Sequence, residues 1–303
     1  MLSSFLALVV VVAQGSSVVT LELPSGRILA SHELPGQPLS LFVAPDGTVF
    51  LPLAGVDATA VLPPGGAAVQ LPGRLAPLFF READRFYAVF PENLALLSYP
   101  ERVPIASWPL PAGLGVRIAA CLADGRVVAL GSAQPRPRVL LVFPFDAGRS
   151  LEVPLPLPEL GPLAVSSSFL AAASGNTVWI APLGAGEGVS VTVEGEVLAL
   201  AWSAEERELF ALLARPESQL LRLTPHKKPG KAPGVKPLWT GQSRPQALVA
   251  SEAGLVVLED GGVRLLSPRG KLLAQAPLAG GRYLGLLPEH PRSGAIPWSD
   301  LAP

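Results

Sequence analysis

The chain has 303 residues, 49% hydrophobic and 16% charged, with a formal net charge of −1 at pH 7. That charge balance excludes any global attraction to nucleic acid, and a single cysteine, Cys121, excludes an internal disulfide and any CxxC motif. After residue 13 no apolar run approaches the ~18 residues of a membrane-spanning helix, so the apolar surplus points to β strands buried on both faces.

In chain order, Met1 to Gly15 reads MLSSFLALVVVVAQG. Its apolar run Phe5–Ala13 has the length of a secretory h-region, with small residues behind it, although no Lys or Arg precedes it. Residues 1–15 are therefore expected to be a signal peptide cleaved near Ala13 or Gly15, with residues 16–303 forming one domain. The competing expectation is an apolar edge strand that stays in the mature fold. Ser17–Leu34 follows as a hairpin around Pro24-Ser25-Gly26.

The stretch Pro38–Leu53, PLSLFVAPDGTVFLPL, is a strand, a tight Asp46-Gly47 turn and a second strand. Copies recur with turn blocks at Arg81, Leu122, Ser166, Ser203, Ser251 and Pro288, at intervals of 37 to 48 residues. A Gly-centred connector precedes each copy, as in LPGQP (Leu34–Pro38), LPGRL (Leu71–Leu75) and WTGQSRP (Trp239–Pro245). Seven turn blocks alternate with seven connectors. A period of roughly 40 residues holding four short strands predicts an all-β, seven-bladed propeller with four antiparallel strands per blade. Complete blades are expected near 36–72, 73–112, 113–157, 158–193, 194–240 and 241–280. The last blade is expected to be composite, its inner two strands from residues 282–301 and its outer two from residues 17–34, which ties both termini into the ring.

The unit formed by Ala-x-Asp-Gly, a strand, a Gly-Arg or Gly-Lys turn and a last strand resembles seven-bladed propellers of the YVTN, NHL and lactonase kind. Ser25-Gly26-Arg27 and Arg269-Gly270-Lys271 match its second turn. That resemblance implies the propeller fold. Its members include enzymes and extracytoplasmic binding and assembly proteins, so it leaves function open.

A lactonase needs converging Glu, Asn, Asp or His to hold a divalent ion. The chain has two Asn, at 93 and 176, and three His, at 32, 226 and 290, none recurring at an inner-strand start. Ser166-Ser167-Ser168 lacks a nucleophile-elbow pattern and reads as a polar turn. Neither a cofactor nor a metal is expected. Scarce Asn and 34 Pro resemble a thermophile's choices.

Two charge patterns remain. Thr224–Pro237 holds Lys227, Lys228, Lys231 and Lys236, four of the chain's five lysines, and is expected to be a basic arm that docks on an anionic cell-envelope surface. Gln37, Arg74, Arg117, Glu196, Arg244 and Arg282 fall at or just after the connectors. Inner strands of all blades begin around one mouth of the central channel, so these residues are expected to form a ring, with the arginines making an anion-binding funnel. The sequence therefore reads as a non-enzymatic, extracytoplasmic binding or assembly module for an acidic ligand or protein partner. The alternatives are a lactonase-type hydrolase and a structural subunit of an envelope complex.

Overall fold

The computed structural model describes residues 8–287 apart from positions 45, 74–77, 83, 91, 100, 113, 122–126, 133–137, 144–148, 160, 184–186, 215–217, 227–229 and 242. Its strands form seven four-stranded antiparallel sheets. The first three are β1 (Leu8–Gln14), β2 (Ser17–Leu23) and β3 (Arg27–Glu33). One sheet then holds β4 (Phe42–Val43), β5 (Val49–Pro52), β6 (Ala58–Leu62) and β7 (Val69–Pro72). The next holds β8 (Leu78–Glu82), β9 (Arg85–Val89), β10 (Asn93–Ser98) and β11 (Pro104–Pro109). Then come β12 (Gly115–Cys121), β13 (Val127–Ser132), β14 (Arg138–Phe143) and β15 (Arg149–Pro154). β16 (Leu163–Val165), β17 (Phe169–Ser174), β18 (Thr177–Pro182) and β19 (Val189–Thr192) follow. β20 (Glu196–Trp202), β21 (Leu209–Ala214), β22 (Gln219–Thr224) and β23 (Gly234–Thr240) form another. β24 (Pro245–Ser251), β25 (Gly254–Glu259), β26 (Gly262–Leu266) and β27 (Leu272–Pro277) form the next, and β28 (Gly281–Leu286) joins the first three strands.

The inner strands touch in succession, as β16 meets β20, β20 meets β24, β24 meets β28, β28 meets β4 and β4 meets β8. The buried side chains lie between neighbouring sheets. One cluster joins Ala171 and Val178 to Leu209 and Leu221, and another joins Phe210 and Leu212 to Val257 and Leu266. Four-stranded antiparallel blades packed face to face around an axis are a β-propeller.

The closing sheet corrects the expected division of strands. Its order is β28-β1-β2-β3, one C-terminal strand and three N-terminal ones, where two and two were expected. Of the two inner places expected for residues 282–301, the second belongs to β1. Val10 pairs with Leu286 on one side and with Leu21 on the other. Residues 288–301, including the Pro288 turn block, lie outside the described residues. From Leu8 onward the apolar run is a strand inside a sheet, not an edge. Its alternate side chains explain why it has no polar face: Leu8, Val10 and Val12 enter the core shared with β25 and β26, while Val11 and Ala13 enter the core shared with β5 and β6.

Asp46-Gly47 makes the expected tight turn, with Gly47 at φ 87° and its N–H donating to Ala44 O. At the Ser203 turn block, Ala204–Glu208 form the turn and strand resumes at Leu209.

Candidate functional site

In a propeller the inner strands run side by side around the axis, so the starts of β4, β8, β12, β16, β20, β24 and β28 share one mouth. The sequence-predicted ring can be placed against those starts. Gln37 is exposed and immediately precedes Pro38, which bridges to Leu53 at the beginning of the inner segment of its sheet. Glu196 opens β20 and is exposed. Arg244 is exposed one residue before β24, its carbonyl accepting the Asp260 N–H at 3.0 Å. Arg282 is exposed as the second residue of β28. Arg117 is the third residue of β12, deeper than its connector suggested. Arg74 lies outside the described residues.

The pairing registers add a feature that sequence reading missed. β12, β20, β24 and β28 each carry a β-bulge at their second or third residue. The residue left without an opposite number is Arg117 in β12, Leu198 in β20, Gln246 in β24 and Arg282 in β28. Bulges re-aim a side chain and break the ladder locally. Here they fall near the start of four inner strands, and two of the four carry arginine. Gln246 donates to Asp260 Oδ1 at 2.5 Å, which anchors that bulge to the turn after β25. Neither Arg244 nor Arg282 makes an ion pair among the described residues. The only legible hint is an arginine just past a connector glycine; no residue pattern announces the bulge.

At the opposite end, a cavity of about 770 Å³ opens between β20–β23 and β24–β27. Glu205, Arg207, Glu208 and Glu252 line it above Phe210 and Leu255. Its charges are largely spent: Arg207 lies 3.4 Å from Glu205, and Arg222 lies 3.1 Å from Glu208. The serine turn at that end is structural too. Ser166 Oγ accepts the Phe169 N–H at 2.9 Å, and the Ser167 N–H donates to Glu206 Oε2 of the next sheet at 2.8 Å. Among the described residues no group of three or more His, Cys, Asp or Glu is placed to hold a metal. His32 sits on outer strand β3 and His226 in the loop after β22, while His290 lies outside the described residues.

Of the basic arm, Lys231 and Lys236 are exposed, Lys236 on outer strand β23 opposite Arg222. Lys227 and Lys228 lie outside the described residues.

No protein-family model matches the chain, and neither does any curated protein sequence. Solved structures do. A functionally unknown protein from Desulfotomaculum acetoxidans aligns at TM-score 0.69 and 14% identity, covering 94% of this chain and 99% of its own. A proposed 6-phosphogluconolactonase from Bacteroides fragilis aligns at TM-score 0.66 and 11% identity, with the same coverage. A streptogramin B lyase aligns at 0.61 and 14%, covering 90% of this chain and 87% of its own. At these identities the likeness is one of fold.

Proposed function

We propose that this propeller is a non-enzymatic binding or assembly module that takes an acidic small molecule, or a partner's acidic tail, at the mouth where its inner strands begin. One observation supports the reading: Arg117 in β12 and Arg282 in β28 each occupy a bulge near the start of an inner strand, and Arg244 is exposed one residue before β24, the inner strand that meets β28. Arginine stays charged at any working pH, and its planar fork matches carboxylate and phosphate oxygens in pairs. A narrow mouth with low-dielectric walls concentrates that field. In this reading Gln37 adds a neutral hydrogen-bonding group to the ring and Glu196 sets the polarity across it. The proposed place of action is the cell envelope, where Lys227, Lys228, Lys231 and Lys236 would dock the outer rim on an anionic surface. That location rests on the basic arm, which holds four of the chain's five lysines. Catalysis of lactonase type stays a property of similarly folded proteins.

The test is a binding titration with polyglutamate as the acidic probe. Arg244→Ala combined with Arg282→Ala is expected to weaken binding at least tenfold, with stability changed by less than about 1 kcal/mol, as for surface positions. Replacing the four arm lysines by Gln is expected to leave probe binding at the mouth intact. Loss of binding in the lysine variant alone would transfer the site to the arm and end the funnel reading.

A further inference from the structure

The stretch that enters each outermost strand differs in charge from sheet to sheet. Residues 24–27, 225–233 and 267–271 hold Arg27, Lys227, Lys228, Lys231, Arg269 and Lys271, with no Asp or Glu. By contrast, residues 63–68 before β7 are uncharged, Glu101 offsets Arg102 before β11, Asp146 stands before β15 and Glu187 before β19. The cationic stretches enter β3, β23 and β27, the outer strands of three consecutive sheets. These strands join into one rim. Gly270 lies against β23, where a Cβ would fall 2.3 Å from Leu238 O, and Gly26 lies against β27, where a Cβ would fall 3.3 Å from Ala276 Cβ. Beside each cationic stretch stands an exposed aliphatic side chain: Val235 at 44%, Leu272 at 42% and Ile28 at 58%. Single exposed aliphatics are ordinary, but these three recur in register. Val235 is opposite Leu223, Leu272 opposite Leu266 and Ile28 opposite Leu21. Each of those leucines packs against the preceding sheet, so all three aliphatic groups project from the same face of their sheets. Lys236 and Arg27, opposite Arg222 and Glu22, project from the other face. The free edge of the rim thus runs between aliphatic groups on one side and cations on the other.

We propose that this rim seats edge-on upon an anionic lipid bilayer, with Val235, Leu272 and Ile28 entering the acyl boundary and the flanking lysines and arginines meeting lipid phosphates. This docking rests on the envelope reading above and deepens it: the anionic surface is lipid, and apolar insertion adds to charge. The aliphatic groups select lipid over a soluble polyanion, which would use the cations alone and leave three apolar side chains in water. Lysine and arginine stems lie along apolar surface while their heads reach phosphate, so cations on one face and aliphatic groups on the other serve the same boundary. Edge-on seating also keeps carboxylates from the bilayer. Glu205 and Glu208 stand between β20 and β21, and Glu252 between β24 and β25, on turns nearer the axis. Arg27 keeps Glu22 at 3.5 Å, which makes it the weakest of the cations.

Co-sedimentation of the full chain with vesicles tests this. The wild type is expected to bind vesicles of equimolar phosphatidylglycerol and phosphatidylcholine and to stay in solution with phosphatidylcholine alone. Ile28→Ser with Leu272→Ser is expected to weaken binding to the anionic vesicles about tenfold or more. Arg269→Gln with Lys271→Gln is expected to do the same at low salt. V103S/I105S removes two comparably exposed aliphatic groups beside β11, whose entering stretch is neutral, and is expected to bind as wild type. So is R244A/R282A, because the mouth takes no part. Circular dichroism checks that each variant is folded. Retention of I28S/L272S as tight as wild type would overturn the proposal and leave a purely ionic docking by the arm. Equal loss in V103S/I105S would overturn the assignment to this arc. A wild type that ignores both kinds of vesicle would overturn lipid docking altogether, while polyglutamate binding at the mouth is read separately by its own titration.

Discussion

Glu259 is 1% exposed at the end of β25, where an unpaired carboxylate would be costly. Arg264 answers it from β26, its Nε 2.5 Å from Glu259 Oε2. The same guanidinium donates to Gln275 Oε1 at 3.3 Å and lies 5.8 Å over the Trp239 ring of the neighbouring sheet. Gly241 belongs to this cluster, because a Cβ there would fall 2.2 Å from Glu259 Oε1. Burial decides the worth of such pairs. Removing one partner of a buried ion pair costs about 3 kcal/mol or more, whereas an exposed pair such as Arg27–Glu22 contributes at most about 1 kcal/mol. Arg264→Ala is therefore expected to lower unfolding free energy several-fold more than Arg27→Ala, measured by urea denaturation. Equal effects would show that Glu259 finds another partner. A glycine at 241 was legible as a connector, yet its reason was not. The connector pattern suggested a sharp backbone turn, true of Gly73 at φ 81°, while Gly241 is required by close approach. Asp46 likewise read as a turn residue, and it does accept the Thr48 N–H at 2.9 Å. Its second role, accepting the Tyr99 hydroxyl of the next sheet at 2.8 Å, joins positions 53 residues apart and had no local signature.

At the scale of elements, β1 holds the closing sheet together. It is the sole link between β28 and β2, and five of its seven residues are buried. Burying an aliphatic side chain stabilises by roughly 1.5–3 kcal/mol, so Leu8, Val10, Val11 and Val12 together contribute on the order of a domain's whole net stability. A chain lacking residues 1–14 is expected to lose its cooperative thermal transition and aggregate. A soluble truncated protein melting within a few degrees of the full chain would return the segment to its reading as a dispensable leader. Hydrophobic length alone could not separate these readings, because a secretory h-region and a strand buried on both faces share one composition. Strand partners are the information that local sequence lacks. β1 draws on β28, some 270 residues away in sequence, and no window around residue 10 contains that information. Period-2 hairpins and Asp-Gly turns, by contrast, are local, and the four-stranded blades were readable from them.

At the scale of the molecule, the propeller brings residues scattered from Gln37 to Arg282 to one end of an axis. Candidates for the ring were readable because inner strands follow connectors in a fixed order. Its depth was not, since the bulges that displace Arg117, Leu198, Gln246 and Arg282 come from pairing mismatches between strands. The central claim is that this mouth receives an anion. Its most direct test is a crystal soaked in selenate and measured at the selenium edge. The account predicts an anomalous peak at the start of β24 and β28, within hydrogen-bonding reach of Arg244 and Arg282, that disappears in the R244A/R282A variant. A mouth empty of selenium, with peaks only at the Lys231–Lys236 arm, would contradict it.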